Sequence, residues 1–344
     1  LDLGAARYPT AFVVALLLSL YFTPIVRRAA IKYGVMDIPN TKLKNHKEPT
    51  PYLGGVSMYL AFLFALALTN EGQFPPKITG ILLSASIIVM LGLFDDLKVL
   101  SPKVKLFGQA VAVLVLVKAG IMVQLSFIPG WANLMLTFFW VIGITNALNL
   151  IDVSDGLAAG ITAIAGIFLY IIALMRTPDV IPMLTLPLVG SAVGFLAFNR
   201  PPAKIYMGDT GSMFLGFMLG AIAMIGKYTD GHHRIAWIAP IIVLGIPIFD
   251  TLYVMTVRFI RKIPVMSGSP DHFAVRMRNN GFSAVYIATT AYGFGTFLGL
   301  SGVAICYFER TIAISVAGVI VFVVILVTFI LKKLGRGPAH SGTP

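Results

Sequence analysis

Ile87-Ile88-Val89-Met90-Leu91-Gly92-Leu93-Phe94-Asp95-Asp96 runs through eight residues without a polar side chain and then ends on two adjacent carboxylates. The apolar part belongs to a longer stretch, 78–94, suited to a helix in a lipid bilayer. Its acidic end requires water, a cation or both, because an unpartnered buried carboxylate costs several kcal/mol or more. That contrast recurs along the chain.

Of the 344 residues, 58% are hydrophobic and 12% charged, against about 25% charged in an ordinary soluble domain. Apolar stretches at about 8–27, 52–70, 78–94, 106–119, 132–149, 158–174, 181–198, 211–227, 235–256, 283–304 and 310–331 define the expected fold. It is all-α: a polytopic integral membrane protein of about eleven transmembrane helices, ten being the alternative. Residues 1–331 form one integral membrane catalytic domain, and 332–344 a flexible basic cytoplasmic tail. Several stretches fall short of the roughly 20 residues that cross a bilayer, so their helices should extend into the polar loops. Arg7 is a meagre basic region for a signal peptide, and Pro24 with Arg27 and Arg28 marks the end of a retained first helix.

Loops 27–51, 95–105, 150–157, 199–210 and 257–282, with the tail from Lys332, hold nineteen of the 26 Lys and Arg residues. The positive-inside rule therefore places them in the cytoplasm and the N-terminus outside. The net charge of +12 comes without a basic, aromatic-interleaved stripe, which excludes nucleic acid as a partner and favours anionic lipid headgroups or a phosphorylated substrate. Cys306 is the single cysteine and forms no intrachain disulfide. His232-His233, on the outer side, read as a solvated turn.

Asp37, Asp95, Asp96, Asp152, Asp155, Asp209, Asp250 and Asp271 all fall in or beside the cytoplasmic loops, although their positions played no part in the charge count. Loops that simply collect both signs are the plainer explanation, but aspartate dominates while Glu48, Glu71 and Glu309 are the only glutamates. Asp95 and Asp96 repel each other when ionised unless a divalent cation or a lysine (Lys98, Lys103, Lys105) offsets them. A solvated helix end is the other reading of this pair. In Asn146-Ala147-Leu148-Asn149-Leu150-Ile151-Asp152-Val153-Ser154-Asp155-Gly156, residues 146, 149 and 152 share roughly one helix face. Amides there can read a base or a sugar amide and carboxylates can bind metal or ribose; a polar packing seam is the alternative. Lys204-Ile205-Tyr206-Met207-Gly208-Asp209-Thr210-Gly211-Ser212 sets an aspartate among small residues at a helix start, where backbone amides favour phosphate oxygens. Asp209 is the first choice as a direct Mg²⁺ ligand, with Asp95 and Asp96 as helpers and Mn²⁺ as a substitute metal; a helix cap is the competing reading. Basic loops around Lys42, Lys44, His46 and Lys47, and around Arg258, Arg261, Lys262, His272, Arg276 and Arg278, suit a diphosphate.

Together these motifs resemble the polyprenyl-phosphate N-acetylhexosamine-1-phosphate transferases, glycosyl transferase family 4, nearer their O-antigen and teichoic-acid initiating branch than the muramyl-pentapeptide branch. The resemblance runs from Asp37-Ile38-Pro39-Asn40 and Pro49-Thr50-Pro51 with Gly54-Gly55, through Gly92 to Asp96, Lys105, Gln109 and the Asn146–Gly156 run. It continues through Phe198-Asn199, Pro202-Ala203-Lys204, Gly208 to Ser212 and Pro247-Ile248-Phe249-Asp250. It implies a Mg²⁺-dependent bacterial inner-membrane enzyme acting at the cytoplasmic face on polyprenyl (undecaprenyl) phosphate and a UDP-N-acetylhexosamine, with homodimerisation in keeping. By the same resemblance the catalytic residues are Asp95, Asp96, Asp152, Asp155 and Asp209. Asp37, Lys44, His46, Lys105, Asn146, Asn149, Lys204, Asp250, His272 and Arg276 contact substrate.

Three features depart from the family pattern. Asp152-Val153-Ser154-Asp155-Gly156 replaces Asp-Gly-x-Asp-Gly, and one extra residue separates Asp37 from His46. Asp271-His272-Phe273-Ala274-Val275-Arg276 has Ala274 and Val275 where related chains carry paired histidines. A cation- or proton-coupled transporter, which would hold its acids near mid-membrane, and an inactive scaffold are the rival readings.

Overall fold

The computed structural model describes residues 3–38, 49–70, 74–174, 180–229, 235–264 and 270–334. Lys44, His46, His232, His233 and the tail from residue 335 lie outside the described residues.

The chain is a helical membrane bundle: α1 Leu3–Lys32, α2 Gly54–Thr69, α3 Pro76–Leu97, α4 Pro102–Lys118, α5 Gly130–Ile151, α6 Leu157–Leu174, α7 Val180–Asn199, α8 Gly208–Ile225, α9 Ala239–Val243, α10 Gly245–Ile260, α11 Phe273–Asn279, α12 Ala284–Tyr307 and α13 Arg310–Leu334. Among the described residues, eight helices are long and apolar enough to cross a membrane, or nine when α9 and α10 count as one bent span. Two strands of two residues, β1 Met36–Asp37 and β2 Thr50–Pro51, pair antiparallel at the base of the first loop.

The expected stretches at 52–70 and 106–119 appear as the 16- and 17-residue helices α2 and α4. The stretch 235–256 is broken, with a bend of 73° between α9 and α10. Pro247 has no N–H to offer the carbonyl of Val243, so the helical ladder loses a rung beside the break. In contrast, α1 continues past Pro24 to Lys32, with both Pro9 and Pro24 inside it. It stops at Gly34, whose φ of +71° lets Val35 N donate to Ala30 O at 2.8 Å in a left-handed closing turn. Lys332 and Lys333 form the last turn of α13 rather than the start of a tail.

Lipid tails give little incentive for helices to associate, so packing relies on small residues and buried hydroxyls. Gly190 and Gly194 bring α7 against the Phe12 and Leu16 carbonyls of α1. Ser19 Oγ donates to Ser191 O at 2.8 Å, and Thr23 Oγ1 meets Ser57 Oγ of α2 at 2.9 Å. Helices α6, α7 and α8 form the interior, whereas α13 is buried along only 6% of its span.

One convergence point organises the rest. A Cβ on Gly55 would lie 2.1 Å from Gly211 N, and one on Gly92 would lie 2.6 Å from Thr210 Cα. Only hydrogen at these positions lets α2 and α3 close on the first turn of α8. Gly54 N and Gly55 N, which have no intrahelical partner, donate to Tyr206 O and Met207 O at 3.0 and 2.9 Å. The loop before α8 is thereby fastened to the start of α2, with Tyr52 bridging to Tyr206.

Candidate active site

The two carboxylates ending α3 point to different tasks. Asp96 Oδ1 accepts from Asp209 N at 2.8 Å, while its Oδ2 accepts from Thr210 N at 3.0 Å and Thr210 Oγ1 at 2.6 Å. Gly208, with φ +68°, presents no side chain to that carboxylate; a Cβ there would come within 2.5 Å of it. Asp96 is therefore the cap of α8, supplied by another helix, and satisfies amides that the helix itself leaves unpaired. Capping by Asp209, the competing reading of that residue, does not occur: its side chain faces the other way.

Asp95 closes the turn after α3 through Leu100 N, 2.7 Å from Oδ1, and turns Oδ2 to Lys105 Nζ at 2.6 Å. The same ammonium pairs with Asp209 Oδ2. Ser101 caps α4 with Pro102 at its first position, placing Lys105 in the opening turn. Asn149 of α5 donates to Asp209 Oδ1 at 3.0 Å and to Ser212 Oγ at 2.9 Å. Asp95, Lys105, Asn149 and Asp209, from four helices, thus share one partly exposed cluster.

Asn146 does not join it. Its amide exchanges hydrogen bonds with Gln109 of α4, at 2.7 and 3.2 Å, and donates to Ile142 O. Three helical residues differ by about 60° in direction, enough for Asn146 to face α4 while Asn149 faces α8. Asp152 terminates α5. Burial, followed by the charges of Asp209, Asp155 and Asp96, pushes its carboxyl up to about 8.

Beyond Asp152 the chain forms a second wall. Asp155 Oδ2 accepts from Ala203 N at 2.9 Å. Asn199 accepts from Gly156 N and donates to Ile205 O, both at 3.0 Å, and so ties this loop to the one before α8. Burial and then the Asp155 charge push the Tyr206 phenol up to about 12. Asp37 lies in β1 beside this wall, its charge acting on Tyr52 and Tyr206. Lys204 is exposed at the rim. Sequence reasoning gave Thr210, Ser212 and Tyr52 no role; Tyr52 donates to Asp96 O at 2.7 Å.

The expected substrate contacts Asp250, His272 and Arg276 occupy a different, closed cluster. Asp250 accepts from Phe273 N at 2.9 Å and pairs with His272 Nδ1 at 2.6 Å. Arg276 donates to Asp271 Oδ1, Asp271 O and Leu331 O at 2.7, 3.0 and 3.0 Å, and lies over the Tyr253 ring. These side chains are buried and fasten α10, α11 and α13 together, apart from the open cluster.

Among the described residues no three His, Cys, Asp or Glu side chains converge on one point. Mg²⁺ commonly takes one or two carboxylates and completes its shell with water and substrate phosphate. Asp95 and Asp209 already share one cation, the Lys105 ammonium, through hard oxygen atoms. The donor set therefore fits a substrate-completed divalent metal.

The sequence profile of the glycosyl transferase family 4 matches residues 78–227, from α3 past the end of α8, and includes every member of the open cluster. A probable undecaprenyl-phosphate N-acetylglucosaminyl 1-phosphate transferase of Bacillus subtilis (strain 168) is 34% identical over 342 residues, spanning 97% of this chain and 94% of its own. The chain belongs to glycosyl transferase family 4. Its place in the family is with the polyprenyl-phosphate N-acetylglucosamine-1-phosphate transferases rather than the muramyl-pentapeptide branch. The decaprenyl-phosphate N-acetylglucosaminephosphotransferase of Mycolicibacterium smegmatis is 30% identical over 366 residues, across 96% of this chain and 89% of its own. Similarity to the phospho-N-acetylmuramoyl-pentapeptide-transferase of Oceanobacillus iheyensis, at 32% identity, reaches 86% of this chain and 95% of that one. Metal-dependent catalysis is typical of this family.

Proposed function

We propose that this protein transfers N-acetylhexosamine 1-phosphate, with N-acetylglucosamine as the sugar, from a UDP-sugar to polyprenyl (undecaprenyl) phosphate. UMP leaves and the first lipid-linked intermediate of a cell-surface glycan remains. The observation that carries this reading is the pairing of Asp95 and Asp209 across one cation, at the ends of apolar helices where a lipid phosphate meets water.

A phosphate oxygen of the lipid attacks the sugar-linked β-phosphorus. A new P–O bond forms as the bond from that phosphorus to the bridging oxygen breaks, and UMP departs with that oxygen. A phosphate monoester has its second pKa near about 6, so the acceptor needs little deprotonation. Asp95 accordingly organises the acceptor phosphate and need not remove a proton from it. Asp96 holds the start of α8 in place, and Asn149 orients Asp209. Asp209 with Asp95 would hold Mg²⁺, or Mn²⁺ in its stead, which when bound would supply charge neutralisation of the diphosphate. Asp155 with the loop between Asn199 and Tyr206 receives the nucleoside, while Lys105 and Lys204 offset phosphate charge.

Counting the eight long helices, the bent α9–α10 pair and the shorter α2 and α4 as spans supports a reading of eleven crossings in a single integral domain. Alternating crossings bring the ends of α3, α5 and α7 and the starts of α2, α4, α6 and α8 to one face, as the hydrogen bonds among them require. The basic loops support a reading in which that face meets the cytoplasm of a bacterial inner membrane and anionic headgroups, with the N-terminus outside. Association as a homodimer is in keeping with the family.

A panel of UDP-sugars, given to purified protein with undecaprenyl phosphate and Mg²⁺, tests the reading. UMP and lipid-linked product should appear together with UDP-N-acetylglucosamine. No UMP from any donor would favour a transporter or an inactive scaffold.

A further inference from the structure

The short helix α11, which follows α10, presents a cation toward the loop after α5. Ala274 and Val275 are buried in α11. Four and three residues later, on the same helical face, comes Arg278. Its Nη1 donates to Val153 O, between Asp152 and Asp155, over a long 3.4 Å. Its Nε is sealed from solvent and has no hydrogen-bond partner, and no carboxylate pairs with the guanidinium among the described residues. A buried polar N–H left in that state is costly, and a site that awaits an acceptor is one place where such a cost persists.

The neighbouring cations are already engaged. Arg261 and Arg276 both pair with Asp271, and Arg258 donates to Pro264 O. The closed cluster also fixes α11 at both ends: Asp250 holds His272 and Phe273 N, and Arg276 and Asn280 reach the carbonyls of Leu331 and Leu334. Arg278 is thus presented from a rigid element toward the loop carrying Asp152 and Asp155. Burial holds its guanidinium below the ordinary arginine range, while Asp155 favours its charge.

We propose that Arg278 binds the diphosphate of the nucleotide-sugar donor. This rests on the transferase reading above, in which the nucleoside lies along the 152–156 loop and the diphosphate runs from there toward Asp209. A planar, permanently charged guanidinium suits two phosphate oxygens at once.

Purified Arg278→Leu and Arg278→Lys proteins test it through steady-state kinetics and calorimetric titration with UDP and with uridine. Arg278→Leu should raise the KM for UDP-N-acetylglucosamine roughly 10- to 100-fold and weaken UDP by a similar factor. Uridine affinity, the KM for undecaprenyl phosphate and Tm should not change, and Arg278→Lys should recover part of the loss. Unchanged UDP affinity would overturn the proposal, as would an equal loss for UDP and uridine, which would make Arg278 a support for the 152–156 loop. A wild-type protein that releases no UMP overturns the transferase reading and this inference with it. Wild-type turnover with an unaffected Arg278→Leu overturns this inference alone.

Discussion

Two clusters of aspartates and cations lie in this bundle, and they differ in how completely the protein closes them. At the start of α8, the Lys105, Asp95 and Asp209 side chains keep 24%, 10% and 27% of their surface exposed. Around α11, the Arg276, Asp271, His272 and Asp250 side chains keep 6%, 8%, 4% and 0%. The closed set is internally matched, with each carboxylate answered by an N–H of the protein itself. The open set is held by one ammonium, that of Lys105, shared between Asp95 and Asp209. A buried ion pair fixes geometry without promising function; an accessible pair of carboxylates sharing one cation is a place for chemistry.

Removing the carboxylate of Asp209 from the open cluster should abolish turnover with little change in stability. Asp209→Asn is expected to lower UMP release by about 10³-fold or more, with Tm nearly unchanged by thermal unfolding in detergent. The opposite pattern belongs to the closed cluster. Arg276→Ala leaves Asp271 buried with less compensation and removes a tie to α13, so stability should fall by about 3–5 kcal/mol, and protein that remains folded should still bind UDP. Full stability in Arg276→Ala would erase the distinction between the clusters.

How far the sequence carries this comparison depends on burial. Asp95, Asp209, Lys105 and Asn149 stand out because each polar group sits at the end of an apolar run, where a helix must stop and something must offset the charge. Asp250, His272 and Arg276 give the same signal, since sequence spacing does not reveal which loop folds inward. The division of labour between Asp95 and Asp96 is likewise hidden: it depends on Gly55, Gly92 and Gly208 allowing α8 to begin against α3. Broken span α9–α10 escaped the apolar pattern because Pro247 interrupts hydrogen bonding without interrupting hydrophobicity.

Two smaller effects sharpen the contrast. Lys105→Met leaves Asp95 and Asp209 facing each other, which should cost about 1–2 kcal/mol in chelator. Added Mg²⁺ should restore the lost Tm, and no restoration would mean that the lysine is not exchangeable. Asp152 concerns proton linkage. Its folded value of about 8 lies above the unfolded value near about 3.9. The unfolded chain therefore releases this proton first, and the folded state loses relative stability as pH rises from about 4 to about 8. Without metal, Asp152→Asn should raise Tm at pH 8 and leave it unchanged near pH 4. A gain equal at both pH values would remove the link to ionisation.

The central claim is that the open cluster, and not the closed one, receives the divalent metal with the nucleotide diphosphate. Titrating Mn²⁺ into purified protein with UDP, followed by electron paramagnetic resonance, tests it most directly. One bound ion per chain in the wild type, lost in Asp209→Asn and kept in His272→Ala, is the predicted result; Mn²⁺ retained by Asp209→Asn would contradict it.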